Sequence, residues 1–263
     1  MSRRRRGRLR GQVIRGVCRL CGVDGPLSFE HVPPQKAFND RPARVLRGDA
    51  VVNVDPDDLR GRIEQGGAGE FTLCGPCNND TGHWYAPAFI GWAYQAMWIL
   101  RATRGLASLN YVYHIFPLRV LKQVACMFFS VNGPDFHKAH PNLQKFVLDP
   151  SASGLVPALR IYAFLNGSER TRQTGVAVRG RFDTGRIEII SEIASSPIGF
   201  VMAFGDSPAP DGRLIDITFM AKCHYNDWKH VALALPVLSV YTGVPVDYRD
   251  RDTARRQAGL ADQ

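Results

Sequence analysis

The chain has 263 residues, of which 45% are hydrophobic, and its formal net charge at pH 7 is +9. This composition predicts a folded, soluble protein of one large domain or two modest ones. No apolar run follows the N-terminal arginines, and the most apolar helical stretch, residues 87–104, is interrupted by Gln95 and bounded by Arg101 and Arg104. We therefore expect neither a secretory signal peptide nor a membrane span.

The first eleven residues, MSRRRRGRLRG, form a dense block of positive charge. Such a block is expected to be disordered when alone. It is either an arm that binds nucleic-acid phosphates without sequence preference or a solubility tail. The arginines of this block are Arg3, Arg4, Arg5, Arg6, Arg8 and Arg10.

Two C-x2-C units, Cys18/Cys21 and Cys74/Cys77, are the strongest chemical signal in the sequence. Four thiolates supply the near-tetrahedral geometry that zinc prefers. Because such a set leaves no open coordination position, we expect a structural Zn²⁺ that does not itself activate water. Redox-active pairs are the main alternative, although neither pair opens a βαβ unit. Metal-spaced cysteines without a targeting segment indicate a reducing, cytoplasmic compartment.

The segment SFEHVPPQ, residues 28–35, lies between the two cysteine pairs. A short strand is predicted over residues 27–32, ended by two prolines. Glu30 and His31 fall at its end, on adjacent positions that face opposite sides unless a bulge intervenes. An imidazole with a pKa near ~6.5 suits a general base, and a carboxylate beside it can hold Mg²⁺. The alternative is a local hydrogen-bonded pair at a strand end.

The order of these motifs resembles the HNH, or ββα-metal, endonuclease superfamily, in particular its zinc-containing branch with endonuclease VII and proteins that carry an EHVxP motif. The resemblance covers about residues 17–85. It implies that His31 is the general base that activates water and that Glu30 is the acidic ligand of a catalytic Mg²⁺ or Mn²⁺. It also implies that Asn78, directly after the last cysteine, completes this metal site.

Three positions depart from the family pattern. Glu30 stands where Asp is more frequent, and Asn78 replaces the last histidine, as is usual in the endonuclease VII branch. Gly69 and Glu70 occupy the place where many members have a middle asparagine. Either Asn53, Glu70 or another loop residue substitutes for it, or the site is weakened.

Beyond the motifs, apolar periodicity predicts helices over residues 87–104, 118–130 and 142–148. Asn79 and Asp80 are interpreted as caps of the helix that follows them. The H-x2-H pair His137/His140 is interpreted as solvated, and Cys126 and Cys223 as buried free thiols. After residue 150 the period changes to two, and strands are predicted over residues 159–165, 175–182, 186–193, 198–204 and 214–221. Residues 228–240 are either strand or helix.

Taken together, these patterns predict an α+β protein. An arm (residues 1–11) precedes a zinc-bound ββα-metal module with apolar helices (residues 12–150), and a β-rich, antiparallel half follows (residues 151–263). The expected function is a metal-dependent HNH-type endonuclease, with DNA favoured over RNA. The alternative is a non-catalytic zinc-stabilised module for nucleic-acid binding or assembly. The C-terminal half could serve specificity, homodimer formation or a protein partner, and no membrane partner is expected.

Overall fold

The computed structural model describes residues 13–45, 62–102, 106–181, 185–205 and 209–257. Within these residues the protein is α+β, with a three-stranded sheet, a two-stranded sheet and a seven-stranded sheet. The predicted arginine arm lies outside the described residues, and so does Asn53.

Three of the α-helices follow the predicted apolar segments, and another begins inside the second cysteine pair. The α-helices of the described residues are α1 Gly75–Trp84, α2 Ala86–Ala102, α3 Pro117–Val131, α4 Phe136–Ala139, α5 Pro141–Leu148 and α6 Arg251–Gln257. Proline lies in the first turn of α1, α3 and α5. Backbone N–H groups of the first turn have no acceptor within the helix, so proline, which lacks the N–H, breaks no helical hydrogen bond there. None of the described helices has the length and apolarity needed to cross a bilayer.

The start of α1 corrects one interpretation of the sequence. Cys74 is the N-cap residue of α1 and makes no side-chain cap hydrogen bond. Asn79 and Asp80 therefore lie inside the helix, exposed to solvent, and do not cap it. The cap prediction is wrong because a helix already begins at Gly75, at the cysteine turn and its proline, well before the start that the apolar periodicity predicted.

Most strands of the second half lie where the period of two predicted them. The strands are β1 Arg15–Val17, β2 Asp24–His31, β3 Ala43–Val45, β4 Arg62–Glu64, β5 Gly69–Cys74, β6 Ser108–Ile115, β7 Leu159–Asn166, β8 Arg172–Arg181, β9 Arg186–Ala194, β10 Ile198–Phe204, β11 Ile215–Asp216 and β12 Lys229–Leu238. The strand predicted over residues 214–221 is mostly wrong, since only β11 is extended and Thr218–Lys222 form a 3-10 helix. Residues 228–240, which the sequence left as either strand or helix, contain the strand β12.

The small sheet has the order β1-β2-β5, and both of its strand pairs are antiparallel. His31, the last residue of β2, is opposite Gly69, the first residue of β5. A register shift between Ser28 and Phe29 marks a β-bulge in β2. Helix α1 begins directly after β5, so the sequence of elements here is two antiparallel strands followed by a helix. Strands β3 and β4 pair with each other in the segment between β2 and β5.

The large sheet has the order β6-β12-β7-β10-β9-β8, and β11 pairs with β7. Its neighbouring strands are antiparallel except β12 and β7, which are parallel, so the sheet is mixed. The boundary predicted near residue 150 falls between α5 and β7. Strand β6 precedes it in the chain yet pairs along its whole length with β12, so the sheet contains strands from both sides of that position.

Helix α3 lies at the centre of the protein, in contact with α1, α2, α5, β5, β8 and β9. Almost all of its side chains are buried, including the polar residues Lys122, Gln123 and Ser130. Because nearly every face of α3 is covered by other elements, the helix lies in the interior of the protein. Cys126 on α3 and Cys223 after the 3-10 helix are free and buried, as predicted.

Candidate metal centre and active site

The four paired cysteines form a cluster that could hold a metal ion such as zinc. Their Sγ atoms all lie within 4.8 Å of one another. The Cys21 and Cys74 Sγ atoms are 3.8 Å apart. In a zinc–tetrathiolate tetrahedron with bonds of ~2.3 Å, the sulfur–sulfur edge is ~3.8 Å. Cys18 and Cys77 are buried, and Cys21 and Cys74 are half-buried.

Two short pieces of backbone bring the cysteines together. The first pair lies on a turn closed by a hydrogen bond of 2.8 Å from Gly22 N to Cys18 O. Gly22 has a φ of 80°, which a residue with a Cβ rarely adopts. In the second pair, Cys74 ends β5 and Cys77 lies in the first turn of α1. The cluster therefore fastens the turn after β1 to the junction of β5 and α1.

His137 packs against the first cysteine turn. A Cβ on Gly22 would lie 2.4 Å from His137 Nε2. The His137 side chain is 8% exposed, so the interpretation of His137/His140 as a solvated pair is wrong for His137. His137 lies on the short helix α4, and its imidazole ring is covered by the cysteine turn. This is a tertiary contact that the local sequence does not reveal.

The electrostatics of the cluster favour a bound cation. A hydrogen bond from the Cys77 thiol lowers the pKa of Cys18 to about 4, against the opposing effect of burial, with further help from backbone N–H groups. The same hydrogen bond and burial raise the pKa of Cys77. A thiolate among close thiols is thus already stabilised, and a divalent cation would allow the remaining thiols to lose their protons as well.

His31 is held at the end of β2 by one hydrogen bond and one ring contact. Its Nε2 lies 2.9 Å from the carbonyl oxygen of Gly66. Its ring meets the ring of Phe29 edge-on, with the centroids 4.9 Å apart. Because a carbonyl oxygen only accepts, Nε2 carries the proton and Nδ1 is the ring nitrogen that can accept one.

Asn39 fixes the turn that carries this carbonyl. Its Nδ2 donates to the carbonyl oxygens of Pro33 and Ala68, each at 2.7 Å. Its Oδ1 accepts a hydrogen bond of 2.7 Å from the Ala68 N–H. Gly67 has a φ of 98°, and a Cβ there would lie 1.8 Å from Asn39 O. The proline turn after β2 and the turn before β5 are therefore locked together beside His31.

Glu30 is buried, with 6% of its surface exposed. Its Oε2 accepts hydrogen bonds from the hydroxyls of Thr72 on β5, at 3.2 Å, and of Ser130 on α3. Burial raises the pKa of Glu30 to about 7, although both hydroxyls oppose the shift. Near neutral pH the carboxyl group is thus divided between its protonated and ionised forms.

Asn78 joins α1 to β2. Its Nδ2 donates to Ser28 Oγ at 3.1 Å and to the Phe29 carbonyl oxygen at 3.2 Å. Both acceptors lie at the β-bulge, where the ladder to β5 is irregular. With the nitrogen committed to β2, the Oδ1 atom of Asn78 makes no hydrogen bond within the described residues.

A cleft of about 200 Å³ opens at this point, between the end of β2, the proline turn, α1 and α3. It brings the three predicted site residues to one place. Its polar lining residues are Glu30, His31, Gln35, Asn78, Thr81 and Gln123. His83, a histidine five residues after Asn78, is exposed on α1 and does not line the cleft.

The position without the middle asparagine is explained by close packing of the strands. A Cβ on Gly69 would lie 2.2 Å from the carbonyl oxygen of Glu30. Glu70 forms an ion pair of 3.1 Å with Arg19, and its side chain is 69% exposed. Neither residue lines the cleft.

Sequence reasoning did not identify Gly66, Thr72, Ser130 or Gln123. Gly66, Thr72 and Ser130 contact His31 or Glu30, and Gln123 lines the cleft. One signal was present: Gln123 and Ser130 are polar residues in a largely apolar helical run, PLRVLKQVACMFFSV. The cavity that such residues face depends on the tertiary structure and cannot be read from the helix sequence alone.

Comparison with protein-family models found no match to this chain, and comparisons with curated proteins and with solved structures found none either.

Proposed function

We propose that this protein is a metal-dependent endonuclease of the HNH type, with DNA as its substrate. The observation that carries the proposal is the grouping of His31, Glu30 and Asn78 on one cleft. Glu30 and His31 lie on β2, and Asn78 lies on α1, the helix that follows the paired strand β5; a strand pair followed by a helix is consistent with the ββα-metal resemblance.

His31 has the geometry of a general base. Donation of Nε2–H to the Gly66 carbonyl leaves the lone pair on Nδ1. Phe29 and the Asn39-locked turn restrict the ring, so this tautomer and orientation are held in advance. In the proposed reaction Nδ1 takes the proton of a water molecule as that water attacks the phosphorus atom.

The oxygen atoms of the cleft fit a hard divalent cation. Mg²⁺ and Mn²⁺ prefer oxygen ligands and need only one or two from the protein. Glu30 Oε1 and Asn78 Oδ1 would hold the ion, since neither accepts a hydrogen bond within the described residues. When bound, the cation would neutralise charge on the scissile phosphate and on the leaving oxygen. Glu30 would bind it only after losing its proton.

The zinc cluster would act as a scaffold in this proposal. Cys74 and Cys77 flank the junction of β5 and α1, and Asn78 follows directly. Fixing this junction to the turn after β1 keeps Asn78 against the bulge of β2. The net charge of +9 and the arginines of residues 1–11 support a polyanionic substrate.

The test is cleavage of nucleic acids by zinc-loaded protein. Plasmid, linear, branched and single-stranded DNA, together with RNA, are incubated with Mg²⁺ or Mn²⁺. Wild type is expected to cut DNA, and His31→Ala is expected to lose at least ~100-fold in rate. His83→Ala is the matched control, because His83 is an exposed histidine on α1 outside the cleft, and it should cut like wild type.

One observation favours the non-catalytic alternative. The Glu30 carboxyl is buried and already bonded to Thr72 and Ser130, as a purely structural acid would be. If wild type and His31→Ala both bind DNA and both leave every substrate intact, the protein is a nucleic-acid-binding zinc module and the nuclease proposal fails.

A further inference from the structure

Gln123, on the central helix α3, has a buried oxygen atom without a partner. The residue is 4% exposed, and its Oε1 accepts no hydrogen bond within the described residues. Leaving a buried amide oxygen unsatisfied costs about 1 to 3 kcal/mol. Four buried side-chain atoms of the described chain share this condition, and only that of Gln123 belongs to a residue lining the cleft. A ligand of the cleft is therefore the natural partner.

The helix presents Gln123 on the same face as Ser130. The two residues are two helical turns apart, which places them on one side of α3. Ser130 donates its hydroxyl to Glu30 Oε2. Helix α3 thus positions the Glu30 carboxyl through Ser130 and reaches the cleft directly through Gln123.

The chemistry of the cleft indicates which ligand it would take. Neither Lys nor Arg is among the described residues that line it. The Glu30 carboxylate and the Asn78 amide each keep an oxygen atom that accepts no hydrogen bond within the described residues, and Gln35 adds an uncharged amide group. A bare phosphate would find no cationic side chain there and would be repelled by ionised Glu30. A divalent cation of the Mg²⁺ or Mn²⁺ type, which prefers oxygen ligands, is the ligand that carboxylate and amide oxygens of this kind suit.

We propose that Gln123 is a ligand of the divalent cation, binding it through Oε1 either directly or through one water molecule. This inference rests on the proposed function, to which it adds a third residue and a third element. It also accounts for the middle position of the motif: Gly69 has no room for a side chain, and Gln123, which lines the same cleft from α3, would supply the amide oxygen instead.

The experiment measures Mn²⁺ binding to zinc-loaded protein by electron paramagnetic resonance and titration calorimetry, without nucleic acid. Gln123→Met removes the oxygen and keeps the length of the side chain. Gln123→Glu keeps an oxygen and adds charge. Met127→Leu, a volume-conserving change elsewhere on buried α3, is the matched control for disturbed packing. We expect Gln123→Met to weaken Mn²⁺ binding by roughly 10-fold or more, and Gln123→Glu and Met127→Leu to retain it.

The outcomes separate this inference from the nuclease proposal. If Gln123→Met binds Mn²⁺ as tightly as wild type while Glu30→Gln binds it weakly, the cation site stands and the role of Gln123 is refuted. If Gln123→Met loses Mn²⁺ binding and Gln123→Glu retains it, yet the wild type cuts no substrate, the inference holds and the nuclease proposal fails. Equal loss in Met127→Leu would assign the effect to packing and overturn the inference, and a wild type that takes up no Mn²⁺ would overturn both proposals.

Discussion

The buried carboxyl of Glu30 makes the stability of this protein depend on pH in a direction opposite to that of an acid whose pKa is lowered by an ion pair. Burial raises its pKa from 4.5 to about 7, so the folded protein holds a proton that the unfolded chain releases. This contribution to stability is complete below pH 4.5 and is lost as the pH rises through about 7. At a pH where Glu30 is ionised in both the folded and the unfolded protein, the unfolding free energy has lost about 3 kcal/mol.

Replacing Glu30 with Gln keeps the shape of the side chain and removes the titration. The Thr72 and Ser130 hydroxyls can still bond to the amide, because hydroxyl groups rotate and both donate and accept. Relative to Glu30→Gln, wild type should lose about 2 kcal/mol of unfolding free energy between about pH 5.5 and about pH 8.5.

The assay is urea unfolding of both proteins across this range, with zinc bound and without added Mg²⁺ or Mn²⁺. Taking the difference between the two proteins cancels the titration of the cysteines, which they share. A difference that stays constant with pH, or that moves in favour of wild type as the pH rises, would refute the assignment of a buried, protonated Glu30.

Three further substitutions test other parts of the structure. Cys74→Ser should abolish stoichiometric zinc in metal analysis and lower the unfolding free energy by about 4 kcal/mol or more, whereas Cys223→Ser, at a buried thiol outside the cluster, should keep its metal. Gly69→Ala should cost about 2 kcal/mol in urea unfolding, since its Cβ would meet a backbone oxygen at 2.2 Å; Gly25→Ala, which meets nothing within 4 Å, should be nearly neutral, and equal costs would contradict the contact. Burial lowers the pKa of Lys122 from 10.5 to about 8, so wild type should gain stability relative to Lys122→Met as the pH rises through this interval; parallel pH profiles of the two proteins would show that the buried amine does not titrate there.

Local patterns were sufficient for several of the longer regular elements of this protein. Helices α2 and α3 and strands β7, β9 and β10 lie within a few residues of the predicted segments, because each buries apolar side chains at the period of its own backbone. The cysteine spacing likewise predicted the cluster, since each C-x2-C unit chelates through one tight turn. Strand β6 and helix α1 were not predicted, as β6 is held by long-range pairing with β12 and α1 starts from a cysteine turn.

The motif around His31 shows where sequence ends and tertiary structure begins. The sequence by itself determined that a histidine and a carboxyl end one strand between two cysteine pairs, because these are features of neighbouring residues. Only the tertiary structure decided that Glu30 is bonded to Thr72 and Ser130, that Gly66 orients His31, and that Gln123 lines the cleft. These contacts join residues far apart in the chain, and they are set by the pairing of β2 with β5 and by the packing of the small sheet against α3.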